Sequence, residues 1–357
     1  MAVTFLAGNR AVGTSAERLS TFPPLSTAGW VELGRTTLGS SNANIDVTGL
    51  SSKRYYMLLL SGLGHSGAPT DGYYQLGDSS FDTGSNYSSR YSYNGDEGYT
   101  GNLTKMYFDG GSNIKNNTFT VGYLTGHSSK EKLYYGHHVT QETAGAGNAP
   151  FRGDQASKWA NTSSPVTRIR ALTDSSSQTW NSGSELVVLG YDPADTHTNN
   201  FWTELASVEL TGTATSLSSG TITAKKYLWV QAFVNTTALT HGKLRFNSDS
   251  GNNYSNRISK NGGSDTATTS NSSIWAPYWD YSTPIFLNIF IINVASKEKL
   301  VILHDVERST SGAGNAPDRQ EIVGKWANTS NQITSIELDH NGSDMLSGSL
   351  MKVWGSD

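Results

Sequence analysis

Residues 137–161 (HHVTQETAGAGNAPFRGDQASKWAN) return as residues 304–328 (HDVERSTSGAGNAPDRQEIVGKWAN), so one folding unit is written twice in this chain. Whatever fold is assigned to one half must also be formed by the other. The match extends outward from this block. Trp30, Glu32, Leu33, Leu38, Lys53 and Tyr55 align with Trp202, Glu204, Leu205, Leu210, Lys225 and Tyr227. Residues 84–90 align with 251–257, the KEKL at 130–133 with 297–300, and the SGS at 182–184 with 347–349. These limits define an N-terminal arm (1–28), a first module (29–192), a short polar connector (193–201) and a second module (202–357) that ends at a module boundary.

A length of 357 residues is enough for two domains that each bury a core. The formal net charge of −4, with no basic stripe, gives nucleic acid or an anionic membrane surface nothing to be attracted by. Only 16% of residues are charged, and Gly, Ser, Thr and Asn supply the polarity, a surface typical of extracellular and virion proteins. With no Cys there is no disulfide, thiolate metal site or cysteine nucleophile. The opening has an Arg within its first ten residues and no apolar core, so no secretory signal is expected. The longest apolar stretch, 285–294, is interrupted by Asn288 and Asn293 and is too short to span a bilayer.

Short segments rich in β-branched and aromatic residues alternate with Gly, Asn and Ser turns, and no stretch keeps a helical period. The expectation is an all-β chain of two tandem antiparallel β-sandwich, jelly-roll-like domains carrying an extended N-terminal arm. Asn94-Gly95 and Asn261-Gly262 sit where a two-residue hairpin turn needs positive φ at both central positions.

The repeated GAGNAP (145–150 and 312–317) lacks the Lys-Ser/Thr of a phosphate-binding loop and reads as a structural loop. As a contact loop it would present Asn148 and Arg152 in one copy and Asn315 and Arg319 in the other. Trp159 and Trp326 read as core or edge anchors whose N–H is satisfied. Asp82 and Asp249, each followed by Gly and Asn two residues apart, are the candidate metal positions, with an Asx turn as the competing reading. His137 recurs as His304 without a recurrent carboxylate pair or a Ser-centred motif, so no enzyme and no cofactor are expected. Asp305 and Glu307 would share one strand face, but copy one has His138 and Thr140 there. The aromatic clusters differ between copies. Tyr91, Tyr93 and Tyr99 in the first, and Trp275, Tyr278 and Trp279 in the second, are the candidate binding residues if they are exposed.

With KEKL, GAGNAP, KWANTS and the opening LAGNRAVGTSAER in view, the chain resembles virion structural proteins of marine tailed bacteriophages, over most of both modules. The resemblance implies a β-sandwich tail-fibre, tail-tip or head-decoration component without enzymatic activity, and assigns no site residues. The expected function is therefore that of a non-enzymatic virion protein, anchored by its arm. Its two modules would adhere to a host-surface glycan or cement capsid and tail neighbours, with other virion proteins and further copies of itself as partners. The alternatives are a carbohydrate-binding surface protein and a glycan hydrolase with one degenerate copy.

Overall fold

The structure, a computed structural model, describes residues 29–67, 71–109, 116–192, 195, 199–236, 238, 240–279, 284–308 and 310–357. It also describes the backbone of 4–6 and 10–12, and only the backbone of 276–279. Two short strands of the arm, β1 (Thr4–Leu6) and β2 (Arg10–Val12), pair antiparallel with each other. The rest of the arm lies outside the described residues, as do most of the connector and residues 280–283.

The first module comprises β3 (Val31–Thr37), β4 (Asn44–Thr48), β5 (Tyr55–Leu63), β6 (His65–Ser66), β7 (Gly72–Gly77), β8 (Tyr87–Tyr93), β9 (Asp96–Leu103) and β10 (Met106–Asp109). It continues with β11 (Asn117–Thr125), β12 (Lys132–Thr140), β13 (Phe151–Trp159), β14 (Arg168–Thr173), β15 (Thr179–Trp180) and β16 (Glu185–Tyr191). The second module comprises β17 (Thr203–Glu209), β18 (Ser216–Ser218), β19 (Tyr227–Asn235), β20 (Thr240–Phe246), β21 (Tyr254–Lys260) and β22 (Thr266–Asn271). It is completed by β23 (Ile274–Trp279), β24 (Pro284–Ile292), β25 (Lys299–Glu307), β26 (Asp318–Trp326), β27 (Ile336–Asp339) and β28 (Leu350–Ser356). Among the described residues there is no helix, and so none long and apolar enough to cross a membrane.

Each module is an unequal sandwich. In the first, an eight-stranded sheet ordered β3-β16-β5-β11-β12-β13-β8-β9 faces a four-stranded sheet ordered β10-β7-β14-β4. In the second, β17-β28-β19-β24-β25-β26-β21-β22 faces β23-β20-β27-β18. The two orders correspond strand for strand, as a duplicated unit requires. Eight strands against four is less regular than the eight-strand double Greek key of a jelly roll.

Period-two alternation sends one set of side chains into each sandwich. On β5 these are Tyr56, Leu58 and Leu60, which meet Tyr74, Ile169, Trp180 and Leu186. On β19 they are Leu228, Val230 and Ala232, which meet Leu244, Phe246, Ile336 and Met351. A one-sided sheet would leave Met57 and Leu59 in water, yet both are buried, because the outer face of the large sheet is covered as well. The unbroken apolar runs at the start of β5 and at the end of β24 (Ile289 to Ile292) are what strands buried on both faces look like.

Asn94 (φ 46°) and Gly95 (φ 94°) join β8 to β9 as a two-residue hairpin. Asn261 (φ 54°) and Gly262 (φ 73°) open the equivalent turn, but the connection runs through residue 265 before β22 starts. That longer tip carries Asp265 toward the first module. In the two large sheets, the sequence signals of alternation miss β9, β13, β22 and β26. For β13 the reason is plain, because RGDQASK has too little apolar alternation to read as a strand, although it lies between β12 and β8 in the large sheet.

Candidate functional site

The outer faces of the two large sheets pack on each other. Met57, Leu59, Phe119, Val121, Val139, Val187 and Leu189 of the first module form one core with Tyr227, Phe290, Ile292, Leu300, Ile302 and Val323 of the second. Phe201, the last residue of the connector, and Trp202, the first of the second module, are buried in the same cluster. Cross-strand pairing places the polar residues of β13 on this outer face. Val139 pairs with Arg152, His137 with Asp154, and Leu133 with Lys158.

The GAGNAP loop of the first module reaches across the seam. The Gly145 N–H donates to Glu298 Oε1 at 2.6 Å. Ser255 Oγ donates to the Asn148 carbonyl at 2.8 Å, and Arg257 Nε to the Pro150 carbonyl at 3.0 Å. The Ser270 N–H donates to the Ala146 carbonyl at 2.8 Å. Lys325 Nζ, fully buried beside Glu298 at 3.6 Å, donates to the Thr143 carbonyl at 2.5 Å. Backbone carbonyls of a loop thus satisfy a buried ammonium, as burial of a charge requires.

Next to the loop lies a knot of charges. Arg152, 3% exposed at its side chain, grips Asp265 through two nitrogens, at 2.9 Å and 3.2 Å, and reaches Glu321 Oε2 at 3.0 Å. Its other partner is Asp154, which also binds His137 Nδ1 at 2.5 Å. The rings of His137 and His304 lie 3.8 Å apart between centroids, so equivalent residues of the two copies meet. Against the desolvation that opposes charge, His137 and Arg152 hold the Asp154 carboxyl well below its usual range. Elsewhere on the seam Glu185 accepts from Lys226 at 2.9 Å, from Tyr227 at 2.7 Å and from Thr37.

His137, Asp154 and His304 offer nitrogen and carboxylate ligand atoms within 4.8 Å of one another, the donor types zinc takes. Asp154 already accepts from the Arg152 guanidinium, and a cation placed there would stand beside that fixed positive charge. The arrangement is satisfied as an ion-pair knot.

Desolvation, and after it His137, pushes His304 well below its ordinary value. The unfolded chain takes up a proton near pH 6.5 that the folded chain refuses, so this group's contribution to stability falls as pH drops below about 6.5. The groups facing it are His137 on β12, Arg152 and Asp154 on β13, and Arg319 and Glu321 on β26. Thermal melts from pH 7.5 to 5 should show a steeper loss for the parent than for His304→Gln, and equal slopes would refute the assignment. The depressed Asp154 acts in a separate window, below about pH 4.

Of the residues singled out in the sequence, Arg152 is a seam residue, buried rather than on a rim, and Asn148 offers its backbone carbonyl to the second module. Their equivalents Asn315 and Arg319 are exposed. Tyr99 is 76% exposed, and Tyr91 and Tyr93 are half-buried against Tyr107 and Phe151. Trp275 is half-buried and stacks on His241, and the side chains of Tyr278 and Trp279 lie outside the described residues.

Asp82 and Asp249 are turn residues with the same partners in both copies. Asp82 accepts from Trp159 Nε1 at 2.7 Å, from the Gly84 N–H and from Asn86, and Asp249 does so from Trp326, Gly251 and Asn253. Asp305 and Glu307 do share a face, buried inside the second sandwich, where desolvation and then Glu307 push the Asp305 carboxyl well above its usual range. The seam residues that the sequence did not point to are Phe119, Val139, Leu300, Ile302, Glu298 and Lys325. Leu300, Glu298 and Lys325 lie inside the repeated KEKL and KWAN segments, which was the signal available.

No family model matches the chain, and no curated protein does. Among solved structures it is similar to the attachment invasion locus protein Ail of Yersinia pestis, at TM-score 0.13 and 7% identity over 77% of this chain and 97% of that one. It is also similar to the STIV MCP, at TM-score 0.17 and 10% identity over 89% of this chain and 96% of that one. Scores this low carry no argument about fold or function.

Proposed function

We propose that the chain is a non-enzymatic structural component of a bacteriophage particle, made to pack against neighbouring subunits. One observation carries this reading: the segments repeated most closely, GAGNAP, the Glu of KEKL and the Lys of KWAN, meet at the seam between the two modules, in which backbone carbonyls and paired charges are used up. A catalytic unit would keep its recurrent polar residues in an open cleft facing substrate. The neutral polar surface and the resemblance to phage virion proteins support work outside the cell, in a particle. Mass spectrometry of purified particles should find the chain in fixed proportion to the major capsid or tail protein. Recovery only from the host-cell fraction would overturn the proposal.

A further inference from the structure

The seam is one-sided. The first module uses one half of its outer face, a plug made of Phe119, Val139 and the 145–150 loop. The second module uses the opposite half, a socket made of Tyr227, Leu300, Ile302, Ser255, Arg257 and the Glu298–Lys325 pair. Because the modules are copies, each also carries the half it does not use here.

Those unused halves are exposed. The equivalents of the plug residues are Phe286, Val306 and the 312–317 loop, and those of the socket residues include Tyr55, Leu133 and Tyr135. Tyr55, Leu133, Tyr135, Phe286 and Val306 are 41 to 56% exposed, whereas Tyr227, Leu300, Ile302, Phe119 and Val139 are 0 to 1% exposed. These five account for most of the exposed large hydrophobic side chains among the described residues. The charged pair repeats the pattern. Lys158 and Glu131 are joined at 3.0 Å with side chains 44% and 40% exposed, while Lys325 and Glu298 are 0% and 4% exposed under the docked loop. Trp30, Tyr55, Tyr123, Leu133 and Tyr135 line a groove of about 300 Å³ at the unused socket.

We infer that chains join head to tail, the plug on the second module of one copy seating in the socket on the first module of the next, as the two modules of one chain already seat on each other. The contact is heterologous, so repetition closes a ring or extends a filament, depending on the rotation per step. Gln231 and Lys352 stand where the first plug has Leu59 and Val187, and Gly98 where the second socket has Asp265. The joint between chains is therefore weaker than the one inside the chain, which also gains from the tether. Self-association by this surface does not depend on whether the assembly belongs to a virus.

The test uses the full chain in light scattering and native mass spectrometry over a concentration series. The parent should form rings or chains. Leu133→Asp, in the socket, and Phe286→Asp, in the plug, should each weaken association at least about thirtyfold while leaving the thermal transition in place. Mixing these two variants leaves one intact plug and one intact socket, and should yield dimers that grow no further. If Leu133→Asp fails to fold, Lys158→Glu breaks the same socket, and if Phe286→Asp fails to fold, Val306→Asp breaks the same plug, each at an exposed side chain. A parent that stays monomeric at its highest soluble concentration would overturn the inference. So would assembly unaffected by both variants, or mixed variants that form no dimer. A glycan that binds the groove with Leu133 and Tyr135, while the chains stay monomeric, would assign the socket to sugar instead.

Discussion

Arg152→Ala is expected to destabilise the folded chain by about 3 to 5 kcal/mol, whereas Arg319→Ala, at the equivalent position of the second module, should change stability by less than about 0.5 kcal/mol. The asymmetry comes from burial. Arg152 is 3% exposed and stands among Asp154, Asp265 and Glu321, of which Asp265 is itself only 2% exposed at its side chain. Removing the guanidinium leaves Asp154 and Asp265 without the cation they share, and leaves Glu321 only the exposed Arg319. Arg319 is 58% exposed and, among the described residues, forms its ion pair with Glu321, so water replaces what the substitution removes. Paired urea titrations of the two variants measure the difference. Equal losses would mean that the knot is not a unit of the fold. Asp265→Asn in the Arg152→Ala background should recover part of the loss, because it removes one of the charges left unpaired.

Trp159→Ala and Trp326→Ala should each cost about 3 to 5 kcal/mol, by removing an indole that is 1% exposed in a packed core. Both rings stack with a tyrosine, Tyr87 or Tyr254, at centroid distances of 6.3 Å and 6.2 Å. Both have a lysine ammonium above them, Lys132 at 5.1 Å and Lys299 at 5.6 Å. Trp159→Phe separates packing from hydrogen bonding, since it keeps a ring but leaves Asp82 without its indole donor. Its cost should be about 1.5 to 3 kcal/mol for a bond to a charged acceptor. Asp82 sits below its ordinary value because, against desolvation, it accepts from Trp159, Asn86 and Gly84. Stability linked to it is present above the unfolded carboxylate pKa and is lost as pH falls through the lower folded one. The phenylalanine variant should therefore show a weaker pH dependence below about pH 4. An unchanged acid profile would mean that the indole does not set the carboxylate's affinity for its proton.

Tyr87–Tyr93 could be read as a strand from the sequence because Tyr, Ser and Arg alternate and Asn94-Gly95 ends it with a turn that few other residue pairs can form. Trp159 could be read as an anchor because a large ring at the same place in both copies has few other uses. Phe151–Trp159 could not be read as a strand, since strand signals assume that the buried face is apolar. Its outer face is covered by a second protein surface that meets Arg152, Asp154 and Lys158 with charges and polar groups, so burial there carries no hydrophobic signature. The exposure of Tyr91 and Tyr93 was not legible for a related reason: a ring among Ser and Asn looks the same in sequence whether its strand turns it toward solvent or toward Tyr107 and Phe151.

The repeat by itself determined that there are two β units of the same kind, with turns, buried indoles and carboxylate caps at equivalent places, because those depend on side chains near in sequence or on one strand's alternation. Which copy of each repeated segment is buried was decided only by the tertiary structure. GAGNAP at 145–150 and at 312–317 is one sequence, yet the first copy is spent on Glu298, Ser255 and Arg257 while the second stays in water. A linear chain of two modules has a single internal seam, so each of two equivalent surfaces is half used, and differences such as Leu59 against Gln231 or Asp265 against Gly98 acquire a meaning only once the seam is seen.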